Sequence, residues 1–229
     1  MEEHTFSEVQ ATNRRISPLQ PIAFRFIYLL ALLASIATWF LAYKSPLWLD
    51  ETVSYWGISG GFAQIWRRSV EALYFPAYFY VLWATREIFG SREVVLRIPS
   101  VLAMLASVFV LYRIARQFLD EDVAWLVCIL FCLHKDVAFA AIDARPYAFA
   151  VLATNLAIYA LILWVREPKT SRSILLGALC GFIFYFHYLY AVILLAFLAY
   201  YLLRKGRSIG KELRQIMFVV ASFAMVFLP

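Results

Sequence analysis

Long apolar runs, each closed by arginine or lysine, constrain this chain more than any other feature. Ile22 to Tyr43, Val94 to Tyr112, Val123 to Phe139 and Tyr147 to Val165 reach or approach the roughly 20 residues that one helical crossing of a bilayer needs. Ser173 to Leu203 is too long for one comfortable crossing and too short for two full ones. Basic residues at both its ends favour two short crossings that meet near His187 and Tyr188. Gln215 to Leu228 opens a further span. The expected fold is therefore all-α, a polytopic integral membrane helical bundle with about seven transmembrane segments. Within it, the Gly177/Gly181 spacing would let another helix approach closely.

Composition excludes the ordinary alternatives. Hydrophobic residues make up 64% of the chain and charged residues 16%, where a soluble domain carries about 25% charged residues. The net charge of +6 comes from Lys and Arg at the ends of apolar runs, a pattern of membrane orientation without the single basic face that nucleic acid requires. Cys128, Cys132 and Cys180 lie inside apolar runs with no metal or pairing spacing, and read as small packing residues. Residues 1–21 form a polar leader. The run that follows is too long for a signal peptide and becomes an uncleaved first span. Residues 22–229 form the transmembrane domain, with a first loop at residues 44–97.

That loop carries the most informative stretch, Ser45-Pro46-Leu47-Trp48-Leu49-Asp50-Glu51-Thr52, in which two adjacent carboxylates stand where the first apolar run ends. Trp48, Tyr55 and Trp56 frame the pair, aromatics of the kind that settle at headgroup level. After a Gly57/Gly60/Gly61 turn region, Ile58 to Val70 is amphipathic, and Tyr74 to Phe89 is apolar but short and interrupted by Arg86 and Glu87. Both suit the interface plane. If Tyr74 to Phe89 does not cross, Arg113, Arg116, Arg166, Lys169, Arg172 and Arg204 share a side with the N-terminus, as the positive-inside rule favours. The turn Asp143-Ala144-Arg145-Pro146 and His187 then fall on the outer side with Asp50. Arg67, Arg68, Arg92 and Arg97 read as anchors at the lipid surface.

PLWLDETVSYW, followed in order by SREVVLRIPSVLAMLASVFVLYRIAR, AIDARPYAFAVLA and FHYLYAVILL, resembles the GT-C class of polytopic glycosyltransferases, which includes protein O-mannosyltransferases and lipid A aminoarabinose transferases. The resemblance implies a sugar donor linked to polyprenyl phosphate and a lipid, glycan or protein hydroxyl as acceptor. By position in the motif Asp50 is the candidate general base, and Glu51 either orients it or shares a solvated turn. Asp143, Arg145, Tyr147, His187 and Tyr188 are candidate substrate-binding residues, Arg145 as a two-donor phosphate clamp. No metal or other cofactor is called for, although carboxylates of some members hold a divalent cation. The expected location is a bacterial inner membrane with a cytoplasmic N-terminus, in contact with membrane lipids and no nucleic acid. Members of the class run on through further helices, so the chain reads as a truncated member. The rival readings are a transporter or flippase with a charged intramembrane site and a non-catalytic remnant.

Overall fold

The computed structural model describes residues 19–41, 43–72, 74–205 and 212–227, so the expected leader lies almost wholly outside the described residues. Every regular element among them is a helix. The first helix, α1 (Leu19–Ala37), passes into a 3-10 turn at Thr38–Leu41. The first loop then folds into three short helices, α2 (Leu49–Ser59), α3 (Phe62–Glu71) and α4 (Ala77–Phe89). A single turn, α5 (Glu93–Leu96), leads into α6 (Ile98–Ala115), which has proline in its first turn, where a missing N–H costs no hydrogen bond.

The run expected as one straight span from Val123 to Phe139 is broken. α7 (Glu121–Leu133) and α8 (Lys135–Ile142) meet at an angle of 68°. His134, Lys135 and Asp136 supply the reason, because charged groups are costly in hydrocarbon and the chain turns where they occur. The imidazole Nδ1 of His134 accepts the Asp136 backbone N–H at 3.3 Å and so caps α8. Then follow α9 (Tyr147–Arg166), α10 (Thr170–Phe186), a 3-10 turn at Tyr188–Val192, α11 (Ile193–Lys205) and α12 (Leu213–Phe227).

Among the described residues, Phe24–Leu41, Glu93–Ala115 and Tyr147–Arg166 are long and apolar enough to cross a membrane, and the bent pair makes a fourth if taken as one span. α10, Tyr188–Arg204 and α12 are apolar but shorter. At 17 residues α10 is about 25 Å long, a little under the roughly 30 Å hydrocarbon core, which fits the short crossings expected there. The turn between α10 and α11 falls at His187 and Tyr188, as the basic ends of that run imply.

Three apolar clusters hold the fold. One joins α1 and α6 to α9 around Trp39, Met104, Cys128, Cys132 and Ala148. A second joins α9 to α12 around Ala157, Trp164, Cys180, Ile183 and Phe197. All three cysteines are free and buried in these clusters. A third, around Ile58, Ile65, Tyr78, Phe79 and Leu82, welds the first-loop helices to the turn at Ala144. Polar side chains bridge helices as well: Asn155 Nδ2 donates to Ser107 Oγ at 2.7 Å, and Ser222 Oγ to the Ile174 carbonyl at 2.7 Å. The Gly177/Gly181 face of α10 receives α12 closely. A Cβ at Gly177 would stand 2.2 Å from the Val219 carbonyl oxygen, and one at Gly181 would stand 2.8 Å from Val226 Cβ.

The helix reversals give the bundle two ends. Asp50, Asp143, Arg145 and His187 share one. Arg166 bonds Gln117 and Arg172 meets Glu167 at the other.

Candidate active site

The site grows from Glu51. It is the third residue of α2, and its Oε2 accepts the Trp48 backbone N–H at 3.2 Å, the carboxylate half of a capping box. The same oxygen accepts Arg97 Nη2 at 2.6 Å, while Oε1 accepts Arg97 Nε at 2.8 Å and the Ala144 backbone N–H at 2.8 Å. A carboxylate has about four acceptor positions, and all are taken. Arg97 is equally committed. Besides Glu51, it donates to the carbonyls of Tyr43 and Ser45 through Nη1, at 2.6 and 2.8 Å, and to that of Pro46 through Nη2 at 3.3 Å. Its five N–H groups are thereby satisfied, with Glu51 1% and Arg97 2% exposed.

Burial on this scale corrects the expectation for Arg97, which is no lipid-surface anchor but the buried partner of the second acid. It also excludes a solvated turn as the setting of Glu51. An arginine at the start of a span looks the same in sequence whether it snorkels outward or turns inward, so no local signal distinguishes the two.

The turn 143–145 is stitched to the first loop residue by residue. Trp48 Nε1 donates to Asp143 Oδ1 at 3.1 Å. The Ala144 N–H goes to Glu51 as described, and Arg145 Nη1 donates to the Asp50 carbonyl at 3.0 Å. Arg145 Nη2 lies 3.9 Å from Asp50 Oδ2 and also donates to the Tyr74 hydroxyl. The guanidinium carbon stands 4.8 Å from the Tyr74 ring centre and 5.7 Å from that of Tyr147, a cation–π arrangement. Asp50 itself remains open, its side chain 41% exposed against 4% for Arg145.

His187 completes the cluster. Its ring lies 5.1 Å from that of Tyr147, 5.6 Å from Tyr188 in a stacked pose and 5.6 Å from Tyr190 edge-on. The seven residues expected from sequence therefore gather at one end of the bundle. Lys135 and Asp136 stand at the bend between α7 and α8, where Asp136 is exposed and its charge reaches Tyr190. Trp48, Tyr74, Arg97 and Tyr190 are contributions that the sequence reading did not assign to the site.

The electrostatics follow the packing. Burial pushes the Asp143 carboxyl up to about 7, Trp48 pulls it down, Glu51 adds to the rise, and Arg145 and Arg97 oppose it. Burial, with Arg145 nearby, holds the His187 imidazole below its ordinary value. Three polar atoms here are buried without a hydrogen-bond partner: Asp143 Oδ2, Arg145 Nε and His187 Nδ1. Buried polar groups are nearly always satisfied in native proteins, so three such atoms in one cluster set this end of the bundle apart as a concentration of unmet polar groups. Among the described residues no three His, Cys, Asp or Glu side chains are grouped as a metal site needs.

Fold and cluster together define a polytopic helical membrane protein with a polar site at one end of its bundle. The family model described as dolichyl-phosphate-mannose-protein mannosyltransferase matches residues 71–229, and the chain belongs to this GT-C family of membrane glycosyltransferases. The matched stretch holds Arg97, Asp143, Arg145 and His187 and begins after the acidic pair. Comparisons with curated proteins and with solved structures find no significant match.

Proposed function

We propose that the chain transfers a sugar from a polyprenyl-phosphate carrier to a hydroxyl of a lipid, glycan or protein at the outer face of the membrane, with Asp50 as general base. One observation carries this reading. Residues 48, 50 and 51 are stitched to 143, 144 and 145, so that of two adjacent acids one is saturated and the other is left open beside an arginine.

The chemistry needs little more. As the acceptor oxygen bonds to the anomeric carbon, its proton passes to the Asp50 carboxylate. The bond from that carbon to the phosphate oxygen breaks, and its electron pair leaves with the lipid phosphate. Developing negative charge there is met by a fixed cation, and Arg145 supplies one with its buried Nε–H in hand. Glu51 and Arg97 keep the peptide around Asp50 in place, and Asp143 and His187 with Tyr147 and Tyr188 contact donor or acceptor. A single displacement inverts the anomeric centre. The basic residues at the opposite end, Arg113, Arg166 and Arg204, support a cytoplasmic side for that end under the positive-inside rule.

Purified protein in lipid, given a panel of polyprenyl-phosphate sugars, tests the reading. Asp50→Asn keeps the size of the side chain but takes up no proton, so turnover should fall by about 10²–10⁴-fold while donor binding survives. Near-normal turnover in Asp50→Asn would sink the assignment. No transfer by the unaltered protein from any donor would sink the transferase reading itself.

A further inference from the structure

We infer that Trp48 is a positioning residue, whose indole N–H fixes the Asp143 carboxylate against the first-loop helix. The inference rests on the proposed transferase reading for its purpose but not for its geometry. Trp48 is held at three points. Its backbone N–H lies on Glu51 Oε2, and its ring meets Phe139 of α8 edge-on at 5.4 Å and 61°. Its Nε1–H reaches Asp143 Oδ1 across 95 positions of sequence. An indole N–H only donates and never titrates, so it favours the ionised carboxylate without adding a charge that an anionic donor would feel.

The setting explains why such a donor is needed. Asp143 is 2% exposed, and its Oδ2 has no partner. Facing it are Glu51 from α2, Tyr78 from α4, Arg97 at the start of α6 and Arg145 in its own turn. Both arginines are committed elsewhere, Arg97 to Glu51 and three carbonyls, Arg145 to Asp50 and Tyr74. Burial therefore raises the carboxyl to about 7, and Trp48 is the direct hydrogen-bond donor that opposes the rise. A carboxyl raised there changes charge near neutral pH, and removal of the N–H tips it toward the neutral form.

Trp48→Phe removes the N–H while keeping an aromatic ring against Phe139. The sign of the readout is fixed by linkage. A carboxyl raised in the folded state contributes stability that is fully present below about pH 4 and is lost as pH rises toward about 7. In Trp48→Phe that loss should run on about one pH unit further, and the acidic limb of any pH–turnover profile should move up by the same amount. Thermal unfolding of the full chain in detergent from pH 4 to 9 reads the first effect without activity. Asp143→Asn should remove the fall in stability toward about pH 7 and leave only the contribution of other groups such as His187, and Trp48→Phe added to it should shift nothing further.

An unchanged window in Trp48→Phe overturns the inference, whatever the transfer assay shows. So does a window that shifts equally in the Asp143→Asn background, because the titrating group is then another. If Trp48→Phe does not fold, Asp143→Asn alone decides: a profile as steep as the unaltered protein's in that window overturns it. Failure of transfer in every variant would strike the transferase reading and leave the Trp48–Asp143 coupling standing or falling on its own profile.

Discussion

Two regions of this bundle are held together by opposite means. At the end bearing the candidate site, the first loop is pinned by Glu51 and Arg97, a buried ion pair in which every donor and acceptor position is used. Along α10 and α12 the contact is made by absence, two glycines whose missing side chains let the backbones touch. The difference follows from what each region must join. α10 and α12 are regular helices with their backbone bonds satisfied internally, so close van der Waals approach suffices. The start of the first loop, before α2, is irregular chain, with carbonyls at Tyr43, Ser45 and Pro46 that need donors, and one guanidinium supplies them all.

The comparison also separates neighbours in sequence. Asp50 and Glu51 share a turn of α2, yet one is open and the other saturated. Helical geometry points successive side chains about 100° apart. Glu51 therefore faces Arg97 and the Ala144 peptide while Asp50 faces out, beside Arg145.

Breaking the polar pin should cost most. Arg97→Ala leaves Glu51 buried and unpaired, and should lower stability by about 3–5 kcal/mol, read as a lower unfolding midpoint in detergent. Replacing both partners with apolar residues of similar volume should cost less than Arg97→Ala alone. A double variant as unstable as the two single losses summed would mean that the pair is not the unit described here. Breaking the glycine seam should cost less. Gly177→Leu forces the Val219 backbone away and should destabilise by about 1–3 kcal/mol; a neutral result would show that α12 does not pack as closely as described.

A comparable loss is expected where backbone conformation alone is at stake. Gly61 opens α3 with φ of 78° and ψ of 173°, with no atom near an added Cβ, so Gly61→Ala should cost about 1–3 kcal/mol through a backbone conformation that only glycine adopts readily. The smallest effect sharpens the contrast between the two acids. Asp50→Asn should change stability by less than about 0.5 kcal/mol, as for most exposed positions, while Glu51→Gln lowers it clearly. Equal losses at the two positions would remove the distinction between an open acid and a structural one.

Much of this protein was determined by its sequence alone. Apolar runs of membrane length, closed by basic residues, set the helices and their order, and the break at His187 and the Gly177/Gly181 seam could be read from spacing. These are local properties: hydrocarbon fixes the length of a span, and a missing Cβ marks a close approach wherever it occurs. The gathering of Asp50, Asp143, Arg145 and His187 at one end followed from counting reversals. Tertiary structure alone decided the partners. Whether Arg97 faced lipid or Glu51, whether Trp48 served the interface or Asp143, and whether His134 to Asp136 bent a span depended on groups tens of residues away. A side chain with both an apolar stem and a polar tip is satisfied equally well by a headgroup or by a buried partner. The folded chain settles the choice, because only there is the other half of each hydrogen bond in reach.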